Sequence, residues 1–214
     1  MTRGRFISFE GGEGAGKSTQ AARLADRLRA RGLQVVATRE PGGSPGAEAL
    51  RRLLVQGEAD RWSATAETLI LYAARDDHLT RTIRPALDRG AWVISDRFAD
   101  STRAYQGAAG GGSTALIAAL EQAVVGADWP DLTLVFDLDP ALGLERAAGR
   151  GGADARFEGK GLAFHQRLRE GFRALAAAEP ARCVMIDASG SPEAVEAAIW
   201  SAVQARLPVP EPAA

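Results

Sequence analysis

Asparagine is absent from all 214 residues, and lysine occurs only at Lys17 and Lys160. The first absence excludes a GTP-driven switch that reads guanine through an Asn-Lys-x-Asp stretch. Cysteine occurs once, at Cys183, so no internal disulfide framework holds the chain. That thiol sits in Arg182-Cys183-Val184-Met185-Ile186, which reads as a buried strand where its role is packing. The two histidines, His78 and His165, lie far apart in helical stretches without a cysteine partner, so they are expected to be solvated or capping side chains rather than metal ligands. No apolar run is long enough to span a bilayer and no signal-peptide pattern opens the chain, which predicts a cytoplasmic protein with no membrane partner. The 26 basic and 27 acidic residues leave a net charge of −1, so nothing in the overall balance points to nucleic acid.

Against this ordinary background, Phe9-Glu10-Gly11-Gly12-Glu13-Gly14-Ala15-Gly16-Lys17-Ser18-Thr19 fits the pattern G-x-x-x-x-G-K-[ST]. Glycines let the backbone turn so that several N–H groups point at one phosphate chain, and the next helix adds the partial positive charge of its N-terminus. Lys17 would reach the β- and γ-phosphates of a nucleoside triphosphate, and Ser18 would hold Mg²⁺. With lysine so scarce, its fall at the required position carries more weight than the glycines, of which there are 24. The flanks agree: 5–9 reads as a strand, and Leu24 and Leu28 mark a helix over 18–31.

The rest of the chain alternates in the same way. Strands are predicted at 33–38, 91–95, 131–136 and around Cys183. Helices are predicted at 47–55, 64–87, 114–125, up to Ala148, 161–178 and 192–207. This pattern implies an α/β fold: five parallel strands with helices on both faces, in one domain spanning 1–207. A Pro/Ala-rich tail, 208–214, is expected to fray. Segments 10–17, 39–46, 96–98, 137–140 and 187–190 follow strands and should gather along one sheet edge, where ligands bind in such folds. The glycine-rich stretch at about 149–158 follows a helix and is expected to fold over that edge as a mobile lid. Its Arg150 and Arg156 suit late stabilisation of charge on a transferring phosphoryl group. Asp96-Arg97 at a strand end pairs a metal-type carboxylate with an anion-binding arginine, and Ser101, Tyr105 and Gln106 add polar groups nearby.

Together these stretches resemble the bacterial-type thymidylate kinases. The residues carrying the resemblance are the phosphate loop through Gln20, Arg39-Glu40-Pro41-Gly42-Gly43, Tyr72-Ala73-Ala74-Arg75 with His78, Asp96-Arg97-Phe98 with Ser101, Ala104-Tyr105-Gln106-Gly107, and Asp137-Leu138-Asp139-Pro140. They run in the family's order from about residue 5 to 187, and the Asp-Arg-Phe to Ala-Tyr-Gln-Gly block is the more specific part. The resemblance implies transfer of the ATP γ-phosphoryl group to thymidine 5′-monophosphate (dTMP) with Mg²⁺, in a homodimer. By the same resemblance, the loop from Gly11 to Thr19 binds the donor, including Gly12, Gly14, Ala15, Gly16 and Lys17, and Ser18 and Asp96 serve the metal. Glu13 lies near the acceptor sugar and phosphate, Arg39 and Arg97 near the acceptor phosphate, and Arg75 faces the thymine carbonyl. Tyr105 crowds the sugar 2′ position, and Ser101 and Gln106 complete the pocket. The lid supplies Arg150 and Arg156, with Arg146 a third candidate. The chain departs from the family at Leu71, where an aromatic residue usually stacks on thymine; either leucine packs on the base or the contact comes from elsewhere, with Tyr72 one place later. A kinase for another nucleotide or nucleoside remains the competing reading, separable by a substrate panel.

Overall fold

A computed structural model of the chain describes residues 3–56, 61–148 and 159–209. Five strands form one sheet: β1 (Phe6–Gly11), β2 (Val35–Arg39), β3 (Trp92–Asp96), β4 (Leu132–Asp137) and β5 (Cys183–Asp187). Their order is β2-β3-β1-β4-β5 and every pairing is parallel. All five expected strands are present, shifted by no more than about two residues at their ends.

Alternation along each strand divides the core between two faces. Ile7, Phe9, Ile94, Leu134 and Ile186 pack with Leu24 and Leu28 of α1 (Lys17–Arg29) and Ile199 and Val203 of the C-terminal helix Pro192–Arg206. On the opposite face, Phe6 and Val93 meet the helix spanning 64–88, while Val135 and Cys183 meet Phe164, Leu168 and Phe172 of the helix Leu162–Ala178. The Cys183 thiol is buried there as expected, and burial raises its pKa.

Helix 64–88 is α-helical over Ala64–His78, opens into a π-helical turn at Leu79–Ile83, and closes as Arg84–Asp88. The wider turn comes just before Pro85, whose ring and missing N–H are incompatible with regular α-helical bonding. A helical segment that sequence patterning did not reveal runs from Ala99 to Ala109, the second part of it π-helical. Ser101, Thr102 and Gly107 are weak helix formers, and nearly all of its residues are buried, so it shows no apolar stripe.

Two expectations are corrected. Neither histidine is solvated: His78 is fully buried in hydrogen bonds to Glu40 and Thr38, and His165 is buried edge-on to Phe164. The tail is not frayed from its start, because Val209 still packs against the core; residues 210–214 lie outside the described residues. No helix among the described residues is long and apolar enough to cross a membrane.

Candidate active site

The parallel sheet sends every strand's C-terminal end to the same edge, and the charged segments gather there as the alternation implied. β1 runs into the loop 11–16, which turns into α1 at Lys17. Gly14 adopts φ +68° with Gly143 pressed against it: a Cβ on Gly14 would stand 1.9 Å from the Gly143 carbonyl oxygen. Lys17 is 6% exposed, and its Nζ donates to the Gly12 carbonyl at 2.6 Å. Burial, helped by Arg97, pulls its ammonium down to about 8 against the opposing pull of Glu13, Asp96 and Glu10.

The β1–β3 register sets Phe9 beside Asp96 and so brings the strand-end carboxylate to the loop. Ser18 Oγ donates to Asp96 Oδ2. The other carboxylate oxygen, Oδ1, is buried without a hydrogen-bond partner among the described residues. A hydroxyl, an ionisable carboxyl and an orphaned oxygen in one place fit a hard divalent cation with oxygen ligands.

Beside this point a cleft opens, walled by Glu13, Ser18, Arg39, Leu71, Arg75, Arg97, Ser101, Tyr105 and Gln106. Every residue expected to bind the acceptor thus lines one cavity. Arg97 is held with unusual firmness. It is the one non-glycine residue with positive φ (73°) among the described residues. Its carbonyl accepts from Ser95 Oγ at 2.7 Å, and the following amide, Phe98 N–H, donates to Glu10 Oε1 at 2.7 Å. Its Nη1 donates to the Gly11 carbonyl, and its Nη2 lies 3.1 Å from both Glu13 oxygens. Burial works to raise the Glu13 pKa, but Arg97, Lys17 and the Tyr105 hydroxyl outweigh it and hold the carboxyl below its ordinary value. Tyr105 itself is pushed well above the phenol range, chiefly by burial. Its ring lies under the Arg97 guanidinium and against Phe164 and Phe172.

At the far end, Arg75 is 2% exposed and stacks over Tyr72 at 4.6 Å. Its Nε donates to Glu40 and its Nη2 to Thr102, while Nη1 has no partner among the described residues. Tyr72 is buried with its hydroxyl directed to Glu121, so it backs Arg75 and is not in the cleft wall; Leu71 is. Arg39 is ion-paired to Glu48 at the surface end.

Glu40, Pro41, Arg51, Phe98 and Thr102 also line the cleft and were not identified from sequence. Glu40, Pro41 and Phe98 belong to motifs already noticed. Arg51, which donates to the Pro41 carbonyl at 2.7 Å, sits in the helix Pro45–Val55 with no local signal to separate it from Arg52. The lid at 149–158, with Arg150 and Arg156, lies outside the described residues. Arg146 is described and donates to the Ala188 carbonyl.

A phosphate loop at a strand-to-helix turn, a metal-type carboxylate beside it and an arginine-lined second cleft on a 2-3-1-4-5 parallel sheet define a P-loop nucleoside monophosphate kinase. The family model described as thymidylate kinase matches residues 9–199, and the chain belongs to the thymidylate kinase family. It is 64% identical to the thymidylate kinase of Caulobacter vibrioides over 97% of this chain and 99% of that one. It is 55% identical to that of Bradyrhizobium diazoefficiens, over 99% and 93% of the two chains. The crystal structure of thymidylate kinase from Ehrlichia chaffeensis superposes with a TM-score of 0.76 at 33% identity, covering 94% of this chain and 99% of that one.

Proposed function

We propose that the chain transfers the γ-phosphoryl group of ATP to dTMP, forming dTDP and ADP. The observation that carries this reading is the orientation of the cleft: anchored arginines beside the phosphate loop at one end, and a buried arginine with one uncommitted donor at the other. A nucleoside monophosphate placed with its phosphate toward Arg97 and Arg39 presents a base to Arg75 and Leu71.

Loop amides from Gly11 to Thr19 take the donor phosphates, and Lys17 exchanges its bond to Gly12 for the β- and γ-phosphates. Arg97, already fixed by Glu13 and Gly11, holds the acceptor phosphate in line without the cost of ordering a long side chain. Glu13 fixes Arg97 and faces the acceptor sugar. Tyr105 walls the 2′ position, and Ser101 and Gln106 complete the pocket. Ser18 and Asp96 would hold Mg²⁺, which supplies neutralisation of charge on the phosphates. Arg150 and Arg156 are assigned to the charge that builds on the transferring group, a role worth on the order of 10³–10⁵ in rate. A homodimer and a cytoplasmic location belong to the same reading, and light scattering tests the first.

The decisive experiment is ADP release with a panel of acceptors. Turnover with dTMP is expected to exceed that with uridylate, cytidylate, adenylate and thymidine. Faster turnover of any other acceptor would replace this assignment with the competing kinase reading.

A further inference from the structure

Two buried acids hold the base-facing side chains: Glu40, which also reaches the cleft wall, and Glu67, which lies behind it. Glu40, at the end of β2, accepts from Arg75 Nε at 2.8 Å through Oε2, and from His78 Nδ1 at 3.0 Å through Oε1. A carboxylate can only accept, so His78 carries a proton on Nδ1, and its Nε2 shares a hydrogen bond with Thr38 Oγ1, 2.8 Å away. Arg75 is therefore gripped on Nε by Glu40 and on Nη2 by Thr102, and the donor left over is Nη1. Separately, Glu67 is buried and accepts from Gln106 Nε2 at 2.7 Å. The two ends of a glutamine amide look alike, but facing a carboxylate the NH₂ must point to Glu67. The oxygen is the end that remains for the cleft. Neither His78 nor Glu67 belongs to the cleft wall.

We propose that Glu67 and the His78–Glu40 pair are specificity-determining positioning residues, which fix a donor at Arg75 and an acceptor at Gln106 and so set the cleft to read a pyrimidine edge carrying O4 and N3–H. This rests on the assignment of dTMP as acceptor and extends it to the residues behind the base-facing side chains. Thymine offers an acceptor at position 4 and a donor at N3. Cytosine reverses both, with an amino group at position 4 and a bare N3. A site whose polarity is locked leaves its own buried groups unpaired against the reversed edge, which is how polar sites reject analogues strongly. Without Glu67 the Gln106 amide is free to turn over and accept either edge. Without His78 the Glu40 carboxylate loses one of its two anchors, and Arg75 loses its aim.

The test compares kcat/KM for dTMP with that for deoxycytidine monophosphate. Glu67→Gln, which keeps the shape but can donate as well as accept, is expected to lower the dTMP preference at least about tenfold. The change should fall in KM for the acceptor, with KM for ATP unaltered. His78→Leu should shift the preference the same way, and His78→Gln, whose amide can donate to Glu40 and accept from Thr38, should restore it. Should His78→Leu not fold, Thr38→Val removes the outermost hydroxyl alone and must move the ratio in the same direction. An unchanged ratio in folded Glu67→Gln, or equal ratios in the two His78 variants, overturns the inference while leaving the dTMP reaction intact. A wild-type chain that prefers deoxycytidine monophosphate overturns both.

Discussion

Arg97 and Glu13 face each other at the mouth of the cleft, with Arg97 Nη2 3.1 Å from each carboxylate oxygen. The left-handed backbone at Arg97 costs on the order of 1–3 kcal/mol, and the surrounding hydrogen bonds keep it there. An arginine held in this way can meet a phosphate with a planar fork; a lysine brings the same charge without the geometry. Arg97→Lys is therefore expected to lower kcat/KM for dTMP by about 10²-fold while KM for ATP changes little. Steady-state kinetics with each substrate varied in turn checks this, and an equal loss for both would place Arg97 on the donor side.

Lys17 sits deprotonation-prone at about 8 because it is buried beside Arg97. A bound polyphosphate favours the charged form, so donor binding takes up a proton once the pH exceeds about 8. KM for ATP should rise from pH 8 to 10, and calorimetry in buffers of different ionisation enthalpy should register the proton. Lys17→Ala should lose turnover by at least about 10²–10³-fold with the melting temperature preserved. A flat KM profile would mean that Lys17 keeps its proton throughout.

Removing the Asp96 carboxylate should weaken the metal rather than the acceptor. Its orphaned Oδ1 and its bond from Ser18 make it the centre of the metal-type cluster. Asp96→Asn is expected to raise the Mg²⁺ concentration for half-maximal rate by about tenfold or more, with KM for dTMP nearly constant. Titration of Mg²⁺ at saturating ATP and dTMP decides between the two.

Tyr105 has two separable parts. Its ring fills space against Phe172 and Arg97, and its hydroxyl donates to Glu13. Tyr105→Phe should keep the discrimination against a ribose acceptor and loosen only Glu13. Tyr105→Ala should relax the preference for deoxyribose and also destabilise the fold, by about 3–5 kcal/mol for an aromatic ring lost from a packed site. A ribose-to-deoxyribose ratio identical across the three proteins would remove the ring from sugar selection.

Glu10 is wholly buried, and burial first, then the charge of Asp100, pushes its carboxyl up to about 8 from an ordinary 4.5. Between those values the folded chain holds a proton that the unfolded chain has released, so stability falls as pH rises through the window. Glu10→Gln has no proton to lose there. Its melting temperature relative to wild type should climb from pH 4.5 to 8 and level off above; a constant difference would show that the carboxyl titrates normally.

What could be read from the chain was local. The phosphate loop is one contiguous stretch, and the strands carry their own apolar runs, so both stood out. The Leu71 question could not be answered from sequence because two adjacent positions competed. In the fold Tyr72 turns inward under Arg75 and Leu71 lines the cleft wall. His78 read as a surface group because its partner Glu40 is 38 residues away, and only the sheet edge brings them together. The helical segment from Ala99 to Ala109 was hidden for the opposite reason: nearly all of it is buried, so no apolar stripe shows, and Ser101, Thr102 and Gly107 interrupt its better helix formers.

The contact between Gly14 and Gly143 has a bearing on any attempt to diversify this enzyme. A Cβ on Gly14 would collide with the Gly143 carbonyl, and one on Gly143 would stand 2.5 Å from the Glu13 carbonyl, so neither site tolerates even a methyl group. Main chain rests on main chain there. Combinatorial libraries randomised at those two codons should return glycine alone at both, while the neighbouring exposed Ala141 accepts a range of residues.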